Sequence, residues 1–202
     1  MRINEILKES VDNIAVFYGG RFQPMHRGHH DVYKHLVSKF GADNVFIATT
    51  FSQKAQKAHA GGNYGEDPFT FDEKASIMSK MFGIPGDKIV KTNPYRPDLS
   101  AVGKDPNNTA TILVYGQKDA ARLETGKGFL HDLPKDMNEL VPTANERGYV
   151  YVAPVMQGGM SASDFRKVMA SEVDKQEKVK AFTQFFGKYD ENIFAFIEDR
   201  LK

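Results

Sequence analysis

The stretch VFYGGRFQPMHRGHH, Val16 to His30, starts as an apolar strand and ends as the opening of a helix. Its strand spans Ile14 to Tyr18. Gly19 and Gly20 then let the backbone come close to a ligand, because they lack a side chain. Pro24 keeps Gln23 extended and delays the helix. The helix begins near Gly28, so its unpaired amides and positive dipole end face the space beyond the strand. His26 and His29 are three residues apart and project in one direction. Two imidazoles beside an amide cluster suit an anion whose charge grows during a reaction. Arg21 adds a guanidinium able to fork onto a phosphate. The three imidazoles of His26, His29 and His30 invite a transition metal, but no thiol lies near them and no metal site is assigned. His30 and His35 read as surface or packing residues.

Outward from this stretch, strands and helices alternate. Before it, Ile3, Ile6 and Leu7 share a face of a short leading segment, Arg2 to Ser10. After it, a helix carrying Val32, Leu36 and Val37 ends at Gly41, and Val45 to Thr50 forms a second strand at parallel-crossover spacing. Ser52 to Asp67 reads as a mobile polar loop holding Lys54, Lys57 and His59; the lysine pair suits plain solvation first, and closing over an anion second. Thr70 and Glu73 form a T-x-x-E capping box ahead of Ile77, Met78 and Met81. Further strands are expected at Lys88 to Thr92, in TATILVYG, and at Tyr149 to Val155. From QGGMSASDFRK onward the pattern is helical, with Phe182, Phe185 and Phe186 on one face and Ile193, Ile197 and Leu201 on another.

This alternation predicts an α/β, Rossmann-like open parallel sheet with helices on both faces and a helical C-terminal extension. A single domain over residues 1–202 is expected, with a leading helix (1–12), an α/β core (13–170) and C-terminal helices (171–202). The Phe-rich tail suits core cover or a subunit contact in a homo-oligomer. The 202 residues suffice for a sizeable core, and 27 Lys plus Arg against 26 Asp plus Glu leave a net charge of +1. Such a balance argues against a broad grip on nucleic acid. The absence of cysteine removes disulfides and thiolate nucleophiles and agrees with a reducing compartment. No apolar stretch reaches membrane-spanning length and the first residues lack a secretory signal, so a cytoplasmic location is expected.

A second constellation lies at GGMSASDFRK, Gly158 to Lys167. Ser161 or Ser163 can cap a helix there, and Arg166 projects to the same end as the free amides. An ordinary capped helix with a surface arginine is the competing reading. In VYGQKDAARL, Gly116 allows close backbone approach; Asp119 and Arg122 suit a ligand contact or, equally well, a strand-to-helix turn with a solvated helix face.

GGRFQPMHRGH resembles the G-R-F-x-P-x-H-x-G-H signature of the HxGH nucleotidylyltransferase superfamily, which is cytidylyltransferase-like. Its Arg-Phe-Gln-Pro form is most similar to nicotinamide mononucleotide adenylyltransferases of the archaeal and bifunctional type, whereas other branches more often carry an aspartate at Gln23. MSASDFR resembles the family's I-S-S-T-x-x-R motif, with Met160 at the isoleucine, Ser161 and Ser163 at hydroxyl positions, Ala162 departing and Arg166 at the arginine. DPFTFDEK resembles a P-F-T-x-x-E-R segment, with Lys74 replacing the arginine. The Gly116-to-Asp119 stretch resembles a segment lining base and ribose.

The resemblance implies transfer of a nucleoside monophosphate from ATP, or CTP, to a phosphorylated small acceptor with release of pyrophosphate. ATP and nicotinamide mononucleotide giving NAD is the favoured pair. His26, His29 and Arg166 would be catalytic. Tyr18, Gly19, Gly20, Arg21, Phe22, Gly28, Gly116, Asp119, Ser161 and Ser163 would bind the nucleotide. A Mg2+ ion would be held mainly by nucleotide phosphates. Phe22, Tyr64 and Tyr95 offer rings that could stack on a pyridinium. Another transferase of the superfamily, or a non-catalytic nucleotide-binding module, are the alternatives.

Overall fold

The computed structural model describes residues 11–117, 125–126, 128–156 and 159–202. Residues 1–10 of the expected leading helix lie outside them, as do Asp119 and Arg122, and Val11 and Asp12 are not helical. Six strands, β1 (Asn13–Gly19), β2 (Val45–Thr49), β3 (Ile89–Lys91), β4 (Thr109–Tyr115), β5 (Leu130–Asp132) and β6 (Gly148–Val152), form a sheet in the order β3-β2-β1-β4-β6-β5. The described helices are α1 (Arg27–Phe40), α2 (Gln53–Ala60), α3 (Phe71–Phe82), α4 (Ala162–Ala170), α5 (Lys175–Phe186) and α6 (Glu191–Leu201). Strands alternating with helices, and three helices closing the chain, make this an α/β, Rossmann-like fold.

The chain divides into two compact units. The first gathers the described residues of Met1–Gly20, Leu36–Ala48 and Thr92–Val155. It is built on β1, β4, β5, β6 and most of β2. β4 is buried at every position and β1 is buried from Ala15 to Tyr18, the continuous burial of central parallel strands rather than the alternation of a half-exposed sheet. Val16 pairs in parallel with Val45 on β2 and with Ile112 on β4, while Leu113 pairs with Val150 on β6. β2 and β3 thus extend the sheet on one side of β1, and β4, β6 and β5 on the other, so the carboxyl ends of β1 and β4 mark the switch point where open sheets receive ligands. Gly148, opening β6, is a required glycine: the Phe129 ring occupies the space that a Cβ would fill.

The second unit comprises Arg21–His35, Thr49–Lys91 and Met156–Lys202. Its centre is a cluster of Phe69, Ile77, Met81, Phe165, Met169, Phe182, Phe185, Phe186, Ile193, Phe194 and Ile197. The phenylalanines of α5 are therefore core residues of their own unit. α3 carries the expected capping box, with Glu73 N–H donating to Thr70 Oγ1 and Thr70 N–H to Glu73 Oε2.

Two expectations need correction. Ser52 to Asp67 is not a loop throughout, since α2 occupies Gln53–Ala60 with Ser52 Oγ accepting from Ala55 N–H at 3.1 Å. Only Ala55 of this helix is buried, so it has no apolar stripe to announce it. The sheet also gains β5, three residues long and pairing Leu130 with Gly148. Among the described residues no helix is long and apolar enough to cross a membrane.

Candidate functional site

The loop leaving β1 and the first turn of α1 carry the imidazole pair. The His26 and His29 rings stack with centroids 3.7 Å apart and planes at 23°. Their backbones hold them crosswise: His26 N–H points at His29 Nδ1 (3.4 Å) and His29 N–H at His26 Nδ1 (3.3 Å). An Nδ1 that accepts a backbone N–H cannot carry the proton, so each neutral ring keeps it on Nε2. Burial lowers the pKa of His26; burial and then the His26 charge lower that of His29 to about 3. Both rings are therefore neutral near pH 7, and their Nε2–H groups serve as hydrogen-bond donors without cationic charge.

Phe22 supports the pair from a left-handed backbone (φ 47°), unusual for a bulky residue and held at a cost of about 1–3 kcal/mol. Its buried ring meets His29 edge-on at 5.2 Å. Next to it, the side chain of Gln23 pairs reciprocally with Phe69: Nε2 donates to Phe69 O and Oε1 accepts from Phe69 N–H, both at 2.9 Å. Only an amide can do both. An aspartate there would offer acceptors alone and a shorter reach.

The second motif reaches the first through Gln23. Arg166 Nη1 donates to Gln23 O at 2.6 Å, and Nη2 lies 3.5 Å from Ser163 Oγ. The guanidinium is thereby fixed three residues from His26. Ser161 caps α4, accepting from Asp164 N–H at 3.1 Å and donating to Asp164 Oδ2 at 2.7 Å.

Arg21, expected to fork onto a phosphate, is exposed and paired with Asp67 (2.9 Å) and Glu66 (3.3 Å), ion pairs of a kind worth at most about 1 kcal/mol each. Gly28 is buried in the first turn of α1. Tyr18 is buried at the end of β1, with its hydroxyl pKa raised by burial. Gly19 is bare because Pro94 Cβ would stand 2.7 Å from a Cβ there. Gly116 directly follows β4. Arg21, Phe22, His26, Gly28, His29, Ser161, Ser163 and Arg166 belong to the second unit; Tyr18, Gly19, Gly20 and Gly116 belong to the first.

Of the rings offered for stacking, Tyr95 is exposed and lies parallel to Tyr115 at 5.6 Å, whereas Tyr64 lies under the Arg200 guanidinium at 5.0 Å. Lys54 and Lys57 are exposed on α2, and His30 packs on Phe82 at 4.8 Å. A cavity of about 880 Å3 lies in the first unit, lined by Asp12, Asn13, Lys39, Phe40 and Tyr151 among others. It opens at the Asn13 end of β1, opposite to Gly19. Among the described residues no group of three His, Cys, Asp or Glu could hold a metal ion.

Sequence reasoning missed Lys74. Its buried ammonium donates to Thr49 Oγ1 (2.7 Å), Thr50 O (2.8 Å) and Arg21 O (3.1 Å), tying the loop after β1 to the end of β2. Burial lowers its pKa to about 8. The signal was available, because Lys74 lies on the same stripe of α3 as Ile77, Met78 and Met81. A charged residue on a buried stripe has a polar partner to find.

The model of the cytidylyltransferase-like family matches residues 17–168, a span that holds both motifs and the strands that carry them. The chain belongs to the cytidylyltransferase-like family. This places it among the nucleotidyltransferases and leaves α5 and α6 beyond the matched segment. Two solved structures of Plasmodium falciparum nicotinic acid mononucleotide adenylyltransferase are similar to it. The one complexed with APC is 12% identical, with 94% of each chain covered and a TM-score of 0.48. The one complexed with NaAD is 14% identical, covering 83% of this chain and 89% of that one, with a TM-score of 0.46. No curated protein matches the cytidylyltransferase-like chain.

Proposed function

We propose that the protein is an adenylyltransferase that moves AMP from ATP to nicotinamide mononucleotide, giving NAD and pyrophosphate. An oxygen of the acceptor's phosphate attacks the α-phosphorus; the bond from that phosphorus to the bridging oxygen breaks, and pyrophosphate leaves with the electron pair. The attacking oxygen is already anionic, so no general base and no side-chain nucleophile is needed, in keeping with a chain free of cysteine. The work left to the protein is placement and charge stabilisation. His26 and His29 would donate through Nε2–H to the phosphate oxygens gaining charge, and Arg166 would face the leaving phosphates. Magnesium would arrive as part of the substrate, neutralising the triphosphate and held by its oxygens and water.

The observation that carries this reading is the stacked imidazole pair, with both Nδ1 atoms engaged and a guanidinium pinned on the same loop. A pair tied this way presents two directed donors at neutral pH. The preference for a pyridine mononucleotide rests on the Arg21-Phe22-Gln23-Pro24 form of the motif. The test is mass-spectrometric identification of products from ATP or CTP offered with nicotinamide mononucleotide, nicotinic acid mononucleotide, phosphopantetheine and phosphocholine. NAD from ATP and nicotinamide mononucleotide is expected. A CTP-derived product would reassign the nucleotide, and saturable binding with no pyrophosphate release would make the chain a binding module.

A further inference from the structure

Helices α5 and α6 follow the segment that defines the family, yet one of their side chains touches the imidazole pair. Phe185, in the last turn of α5, is buried. Its ring meets His26 edge-on, with centroids 5.6 Å apart and planes at 77°. One face of the same ring stacks on Phe165 of α4, at 4.0 Å and 15°. Phe165 immediately precedes Arg166, so a single ring joins the element bearing the guanidinium to the ring of His26.

The His26 imidazole is fixed at Nδ1 by the His29 amide and on one face by the His29 ring. Both contacts restrain rotation about the Cβ–Cγ bond, and neither bounds the ring from the side of α5. An aromatic edge against it does, and aromatic rings prefer this perpendicular arrangement. We propose that Phe185 is a positioning residue for His26: it holds the imidazole at the angle that aims Nε2–H, and through Phe165 it sets that angle relative to Arg166. The C-terminal helices are then part of the working site rather than core cover only. The functional half of this inference rests on His26 being a phosphate donor; the geometric half does not.

Among the described residues, the titratable or charged groups tied to His26 or its loop include His29, stacked on it, Arg166, bonded at Gln23 O, and Arg27, next to it in the chain. None of these is altered by the following variants. Phe185→Leu keeps apolar bulk and removes the ring edge. Phe185→Tyr keeps the ring. Phe182→Leu is the control, because Phe182 is buried in the same cluster against Phe186 and Phe194 and has no ring contact with His26 among the described residues. Two readouts are needed: the NMR signal and titration midpoint of His26 in the free protein, and kcat and KM for ATP.

Phe185→Leu is expected to move the His26 midpoint up toward the ordinary value of about 6.5 and to lower kcat by roughly tenfold, with KM changed less. Phe185→Tyr is expected to restore most of both. Phe182→Leu should lower the melting temperature comparably and leave both readouts in place. Should Phe185→Leu fail to fold, Phe185→Met is read in the same way. Equal behaviour of Phe185→Leu and Phe182→Leu in both readouts overturns the proposal. If the wild-type protein shows no transferase activity, the reading of function falls, and the His26 signal alone decides for or against positioning by Phe185.

Discussion

Helices α1 and α4 both start at a motif that the sequence marks as an anion site, and the two starts are built differently. α1 opens with no acidic residue in its first turn; what stands there is an imidazole pair whose Nε2–H groups are donors. α4 opens with Asp164, which takes the Ser161 hydroxyl and the dipole end for itself. A carboxylate in the first turn stabilises a helix by opposing its dipole, and the same charge repels an incoming phosphate. Under the proposed function the α1 start suits a guest, whereas the α4 start serves its own helix. The exception on α4 is Arg166, whose Nη2 stays near Ser163 Oγ in the first turn while Nη1 binds the carbonyl of Gln23. In the proposed reaction charge-handling is concentrated on the loop before α1, and variants at the two helix starts test the contrast.

The largest effects belong to that loop. If His29 and Arg166 donate to developing charge as proposed, His29→Ala and Arg166→Ala should each lower kcat by about 10²–10³-fold. Their melting temperatures should stay close to wild type, and steady-state pyrophosphate release measures the loss. Turnover near wild type in both would end the transferase reading, and with it the contrast between the helices.

Gln23→Glu probes how the loop is held. The substitution keeps the length but sets a carboxylate oxygen against Phe69 O, where the amide donates at 2.9 Å. Loss of this buried pairing should cost about 1–3 kcal/mol, read as a lower urea midpoint. Turnover should fall with it, since Gln23 O also carries Arg166. An unchanged urea midpoint would show that the Phe69 pairing does not hold the loop.

The imidazoles themselves give a pH signature. His29 has its pKa lowered to about 3 by burial, against about 6.5 in an unfolded chain. Between those values the unfolded state binds a proton that the folded state refuses, so stability falls as pH drops below 6.5 and keeps falling toward 3. For His29 the expected loss by pH 5 is about 1–2 kcal/mol. His29→Gln should flatten the dependence of the urea midpoint on pH between 7 and 5. An equal slope in the variant would mean that the ring is not held neutral by its surroundings.

Much of this frame was legible beforehand, for physical reasons that differ by element. β1 and β4 read as strands because a strand buried on both faces is a continuous apolar run. The Thr70 and Glu73 box read as a helix start because both partners are local. α2 was missed because it buries a single alanine, and β5 because three residues hold no period. The roles of Gln23, Lys74 and Phe185 were not legible as such. Gln23 meets Phe69, Lys74 meets Arg21, and Phe185 meets His26 across long stretches of chain, and no spacing rule reports which distant residue a side chain will face. Motif residues could be named from their order along the chain; what holds them in place could not.

The smallest effect tests the α4 side. Ser161→Ala removes a cap, which should lower stability by about 1 kcal/mol, while KM for ATP changes by less than roughly threefold because the hydroxyl serves Asp164. Asp164→Asn separates the two functions of this helix start. Its side-chain oxygen can still accept from Ser161, but the charge that opposes the dipole is gone. If the carboxylate keeps phosphate away, Asp164→Asn binds ATP more tightly than wild type while melting lower. Should Ser161→Ala instead weaken turnover as much as His29→Ala, the hydroxyl must turn from Asp164 to the triphosphate on binding, and both helix starts would be substrate sites.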